Sequence, residues 1–264
     1  MKLLKIIILS IIFAGTVFLL VAADRKLNQQ VMEQPIIDLK VQDGISLLTE
    51  AELLRELYTL GLFRDGIKKI DLQTTAIEKY IEGMNEVLSA DVYMELGTGW
   101  HIDLTTRRPV ARVMANEIDD FYIDNNYELM RLSPYSKPKI LAFTGLEQLM
   151  SDEVGYDELI NNDSLKTKLK MDQIYRISAY VCNDAFYNAQ IVQVHYTQSD
   201  QFVLIPRVGN HRIIFGAAES EEMVKDKFEK LTTFYDEVIP YEGWSRYESI
   251  NLKFKDQIVA KKNK

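Results

Sequence analysis

The sequence predicts an α+β fold behind a single N-terminal transmembrane helix, on three observations. Residues 6–23, "IIILSIIFAGTVFLLVAA", carry no charge and no proline, and about 18 apolar residues suffice to cross a bilayer as a helix. Behind them, apolar spacings of three and four alternate with spacings of two, the periods that separate helix from strand. The elements run strand, helix, helix, strand, strand up to residue 106, and the remainder to residue 264 is a strand-rich series with packed helices. That order divides the chain into a small module and a larger mixed-sheet domain.

Taken in order, residues 1–5 form a short tail whose Lys2 and Lys5 favour the cytoplasmic side, which sends everything after the apolar run out of the cytoplasm. "VAA" before Asp24 also fits a signal-peptidase site, so the local sequence leaves a retained anchor and a cleaved signal both open. Residues 24–35 are polar, close on Pro35 and read as a linker. "PIIDLKV" is the first strand. In the helix that follows, Thr49-x-x-Glu52 is a capping box, and Leu53, Leu54, Leu57 and Leu60 supply an apolar stripe. Asp71 is the expected N-cap of a second helix carrying Ile77, Tyr80, Ile81 and Met84. Alternating Val92, Met94 and Leu96, the turn Gly97-Thr98-Gly99, and alternating Trp100, Ile102 and Leu104 make a hairpin.

The larger domain, residues 107–264, opens with "RRPVARV" and a strand pair joined by Asn125-Asn126, residues that tolerate left-handed turn conformations. "KPKILAFTG" is a strand ending at Gly145, followed by a polar stretch with short helical turns. Leu165, Leu169, Ile174, Ile177 and Val181 then read as one helical stripe. "AQIVQVHYT", "QFVLIPRV" and "HRIIFG" are strands, with Gly209-Asn210 turning between the last two. A helix from Ser220 places Glu221 and Glu222 in its first turn, the charge order its dipole favours. From Ile250 the chain alternates, with Ile250, Leu252, Phe254 and Ile258 on one side, as a half-buried final strand does.

Composition excludes several functions. At 264 residues, 47% hydrophobic and 27% charged, the chain can bury a real core. Its net charge of −8 argues against nucleic acid, which selects basic surfaces, and gives no general attraction to an anionic lipid surface. The one cysteine, Cys182, allows no intramolecular disulfide and reads as a buried thiol at a helix end. His101, His195 and His211 lie in or beside strands without metal-ligand spacing. The acidic clusters "EIDD", "DNN" and "NND" lack the EF-hand pattern, and no serine stands in a nucleophile elbow. Gly97 and Gly99 lead into a strand rather than a helix N-terminus, so they do not form a phosphate loop. No catalytic residue, cofactor or metal site is expected.

The order of "RRPVARV", "DDFYIDNNYELMRLSPYSKPKILAFTG", "LIPRVGNHRIIFG" and "KFEKLTTFYDEVIPYEGWSRYESINLKFKDQIVA", behind an apolar helix and a βααββ module, resembles the bacterial cell-division family FtsQ, also called DivIB. The resemblance implies that residues 36–106 form a POTRA domain and that 6–23 stay in the inner membrane as an uncleaved anchor. It further implies a non-enzymatic periplasmic scaffold at the division septum, joining FtsB-like and FtsL-like single-pass proteins and other divisome components to septal peptidoglycan synthesis. A strand of the FtsB-like partner would add to the C-terminal edge strand. The surface expected to receive it comprises Tyr247, Ser249, Ile250, Leu252, Phe254, Asp256, Gln257 and Ile258, flanked by Trp244 and Arg246. Phe254 and Tyr247 would be its aromatic anchors, while Lys253 and Lys255 discourage promiscuous pairing and attract an acidic partner. Two other readings, a POTRA-bearing component of outer-membrane protein assembly or secretion and a cleaved periplasmic enzyme, lack the barrel strands and the convergent polar cluster each would need.

Overall fold

A computed structural model describes residues 2–115, 120–146 and 156–263, with side chains from residue 7 onward. The fold is α+β, with an N-terminal apolar helix and sheets in two compact units, residues 1–106 and 107–264. The cluster "EIDD" lies mostly outside the described residues.

Helix α1 runs Lys2–Asn28. Its stretch Ile7–Asn28, 22 residues at mean hydropathy 2.4, is long and apolar enough to cross a membrane. Residues 24–35, expected as a linker, hold more structure than that. The helix takes in the first five of them, and Val31 bridges Lys68 antiparallel. Met32 is buried, and its amide donates to the Ile67 carbonyl at 2.9 Å.

The first unit follows the βααββ order expected of a POTRA domain. Strand β1 (Ile36–Lys40) pairs parallel with β3 (Trp100–Thr106), which pairs antiparallel with β2 (Val87–Met94), giving the order β1-β3-β2. Helix α2 (Glu50–Thr59) is closed by the capping box, Glu52 accepting from the Thr49 amide at 2.9 Å while Thr49 accepts from the Glu52 amide at 3.3 Å. Helix α3 (Thr74–Glu82) starts three residues after Asp71, which ends a short 3₁₀ turn, Lys69–Asp71, and caps nothing. Leu53, Leu57, Ile77, Ile81, Trp100 and Ile102 make the core between helices and sheet, while Leu60, at the C-cap of α2, is exposed.

The second unit is a nine-stranded mixed sheet, ordered β12-β11-β10-β9-β8-β7-β4-β5-β6. Its first strands are β4 (Pro109–Val113), β5 (Phe121–Asp124), β6 (Leu129–Arg131) and β7 (Leu141–Thr144). At the β5–β6 turn the left-handed residue is Tyr127, φ 65°, and not an asparagine. Buried Asp124 organises the turn instead: one carboxylate oxygen accepts the Asn126 and Glu128 amides at 2.9 and 2.8 Å, and the other the Arg107 guanidinium at 2.7 Å. Gly145, φ 80°, ends β7 where any Cβ would run into the Tyr196 carbonyl oxygen.

Helices α4 (Tyr156–Ile160) and α5 (Asp163–Lys168) precede α6 (Met171–Asn183). The stripe expected as one helix is thus two, broken where Lys170 turns left-handed at φ 59°. Helix α7 (Ala185–Gln190) takes up the first residues expected in a strand, and β8 begins only at Ile191 and runs to Thr197. Strands β9 (Gln201–Pro206) and β10 (Arg212–Gly216) form an antiparallel pair. Helix α8 (Glu221–Glu237), capped by Ser220, packs Val224, Phe228, Leu231 and Tyr235 into the same core as Ile174, Ile177 and Val181 of α6.

Candidate partner-binding edge

The C-terminal end of the large sheet is built on α8. A single turn, α9 (Ile239–Glu242), stops at Gly243, and β11 (Tyr247–Asn251) then lies parallel to β10, with Arg212 opposite Ser249 and Ile214 opposite Asn251. Alternation along β11 turns Tyr247 and Ile250 inward past a bulge, where Tyr247 meets Phe234 edge-on at 5.2 Å. Trp244 is half-buried, tilted against Tyr235 at 5.0 Å and stacked over His211 at 6.2 Å.

The strand expected to continue through Ile258 does not. After Asn251 the chain turns, and β12 (Val259–Lys262) returns antiparallel beside β11. Three contacts make the turn. Leu252 still donates its amide to the Ile214 carbonyl at 2.9 Å, and the Asn251 side-chain oxygen accepts the Lys253 amide at 3.0 Å. From α8, the Lys230 ammonium reaches three carbonyl oxygens, those of Phe254 at 2.7 Å, Lys255 at 3.2 Å and Leu252 at 3.4 Å. An ammonium offers three donors, and here all three hold the turn.

This hairpin separates the expected binding residues into groups. Ile250 and Leu252 are fully buried, and Tyr247 is nearly so. Ser249 is half-buried with its backbone between β10 and β12, as are those of Ile250 and Asn251. Phe254 is 43% exposed, Asp256 and Gln257 are exposed in the turn, and Ile258 is half-buried at the foot of β12. Arg246 is exposed and bonded to Glu242 at 3.2 Å. The large sheet ends in β6 on one side and β12 on the other; at the C-terminal side the edge strand is thus β12, so sequence reasoning missed Val259, Ala260, Lys261 and Lys262. The polar run "KDQ", whose Asp256 falls on the face of Ile250, Leu252 and Phe254, was the available signal of a turn before them.

Charges fasten β12 to the body of the domain. Lys262 lies 3.1 Å from each Glu242 carboxylate oxygen and sits over the Tyr247 ring at 5.8 Å, and Lys261 pairs with Glu248 at 2.7 Å. The Lys262 hydrogen bonds, with Arg246 behind them, hold the Glu242 carboxyl below the usual range.

The histidines lie apart. His101 meets Glu95 at 2.8 Å, His195 meets Thr144 at 3.0 Å and buried His211 meets the Tyr235 hydroxyl at 2.9 Å. Burial lowers the pKa of His211 and raises that of Tyr235. The half-buried Cys182 thiol donates to the Val110 carbonyl at 3.3 Å.

A family model described as FtsQ/DivIB, C-terminal related, matches residues 108–261, from the residue before β4 into β12. No curated protein matches.

Proposed function

Because the chain belongs to the FtsQ/DivIB C-terminal related family, and so to bacterial cell division, we propose that it is a septal scaffold whose β12 edge receives a strand from an FtsB-like partner. An FtsL-like protein and other divisome components complete the assembly, and the protein catalyses nothing itself. Its apolar helix α1 fits a single-pass inner-membrane protein; the proposed topology places residues 1–5 in the cytoplasm and the units behind α1 in the periplasm.

The observation that carries this reading is the unpaired outer side of β12, at the end of the family-matched sheet. Strand addition there satisfies backbone groups on both chains, and neighbouring side chains select the partner. Phe254, Asp256 and Gln257 in the turn and Val259 and Lys261 on the strand are the side chains such a partner would touch. Trp244, Tyr247, Ile250 and Leu252 would act from beneath, fixing the plane of the edge. Ser249, Ile258 and Arg246 would support the strand from its flanks.

The test is binding of the full chain in detergent to the extracytoplasmic segment of the FtsB-like protein from the same organism. Successive residues in a strand point their N–H groups to opposite sides. Of Ala260→Pro and Lys261→Pro, one therefore removes a bond to β11 and the other an outward donor. The outward substitution is expected to weaken binding at least about tenfold, equivalent to ~1.4 kcal/mol, with folding intact by circular dichroism. Equal affinity for all folded variants would place the contact elsewhere.

A further inference from the structure

Where α1 meets the first unit, no spacer separates them. Two residues past Asn28, the Gln30 carbonyl accepts the Lys69 amide at 2.9 Å, and the Glu33 amide reaches the Thr98 carbonyl at 3.1 Å. The segments around Lys69 and Gly97 are therefore the end of the unit nearest the apolar helix, and the Lys69 ammonium ties them together on the Gly97 carbonyl at 3.3 Å.

At this end three apolar side chains face solvent. Leu96 is 104% exposed, Ile70 60% and Val31 53%. Leu96, at the tip of the β2–β3 turn, is as open as a leucine in an unfolded chain. Burying such a side chain yields roughly 1.5–3 kcal/mol. The 18 uncharged residues 6–23 rise ~27 Å as a helix, close to the ~30 Å hydrocarbon thickness. Asp24, Arg25 and Lys26 therefore fall at the lipid headgroups, and Asn28, ~7.5 Å past Ala23, brings whatever is pinned directly behind it to the outer margin of that layer.

We propose that this end of the first unit is a membrane-contact surface, with Leu96 and Ile70 inserted into the interfacial layer of the phospholipid bilayer that α1 crosses. Lys68 and Lys69 lay their stems along the same surface and keep their ammonium groups among the headgroups. Acidic neighbours balance them: Glu33 is bonded to Thr98 at 2.6 Å, and Glu95 to His101 at 2.8 Å. The contact is thus held by apolar insertion and not by anionic lipid, which agrees with the acidic composition of the chain. Its effect is to fix the tilt of the first unit on the membrane, a constraint that the tether alone would not impose. The inference rests on the reading that α1 spans a bilayer.

The test uses the full chain in phosphatidylcholine vesicles, with an environment-sensitive fluorophore on Leu96→Cys or, as control, on Leu88→Cys. Leu88 is also an exposed leucine, 46% open, but lies at the other end of β2, roughly 20 Å away at ~3.3 Å per residue. Label taken up by Cys182 is subtracted with the unsubstituted protein. The expected result is quenching of the Leu96 label by lipid-borne nitroxides several-fold beyond that of the Leu88 label, unchanged as the lipid-to-protein ratio rises. Equal quenching in vesicles that carry the protein on flotation overturns the contact while leaving the span intact. Shielding that disappears on dilution in lipid would assign the surface to a second copy and overturn it too. Failure of the protein to float with vesicles would remove the span and the contact together.

Discussion

Lys227 is a cation buried under the sheet. Its ammonium donates to the Ala217 carbonyl oxygen and lies 4.9 Å above the Phe215 ring. Burial lowers its pKa to about 8; Lys230 and Lys253 push the same way and Glu219 opposes them. An unfolded lysine titrates near about 10.4. Between these values the unfolded chain binds a proton the folded one has released, so stability rises with pH across that window. Lys227→Met keeps the aliphatic stem and loses the titration. The urea midpoint of the wild type is expected to gain on that of the variant between about pH 7 and about pH 9.5. A constant difference would mean that the ammonium is solvated.

The C-terminal hairpin depends on an element distant in sequence. Lys230 sits on α8, and its three carbonyl contacts are with residues 22 to 25 positions further on. Lys230→Met should therefore leave α8 in place and loosen β12. A charge-assisted hydrogen bond contributes ~1.5–3 kcal/mol when well shielded and less at an exposed turn. Exchange of whichever of the Ala260 and Lys261 amides bonds to β11 is expected to quicken about tenfold, with the β9 amides unchanged as the control in hydrogen–deuterium exchange. The same dependence explains why the hairpin was hidden in the sequence. Ile250, Leu252, Phe254 and Ile258 keep the parity of one strand, and the carbonyl grip that bends the chain at Lys253 comes from another helix. Local chemistry was legible where it decides the structure, as in the Thr49–Glu52 capping box, the helix start at Ser220 and the hairpin at Gly97. It misled where tertiary contacts decide. Lys170 breaks a stripe that reads as continuous, and Tyr127 takes the left-handed position expected of an asparagine because Asp124 and Arg107 fix the turn around it. Of the candidate edge, its place at the C-terminal end of the sheet was legible; the strand that forms it, β12, was not.

At the scale of the whole chain, the two units each enclose their own apolar core, and only Arg107 and Arg108 lie between β3 and β4. Residues 107–264 are expected to unfold alone in one cooperative urea transition. Starting two residues later removes Arg107 from Asp124, whose side chain is only 1% exposed. A buried carboxylate that loses its guanidinium partner costs roughly 3 kcal/mol, so the 109–264 fragment should unfold at visibly lower urea. Matching midpoints would show the Arg107 pair to be dispensable. The parallel pairing of β1 with β3 also has a mechanical meaning. The chain enters β1 from the apolar helix and leaves β3 toward the second unit, so tension along it pulls the start of one strand against the end of its neighbour. Strands loaded in this way slide instead of peeling. The ladder of Ile36–Lys40 against His101–Thr105 shares the force among all its bonds at once, as a lap joint does and a zip does not. The first unit is thereby built to bear traction along its own chain.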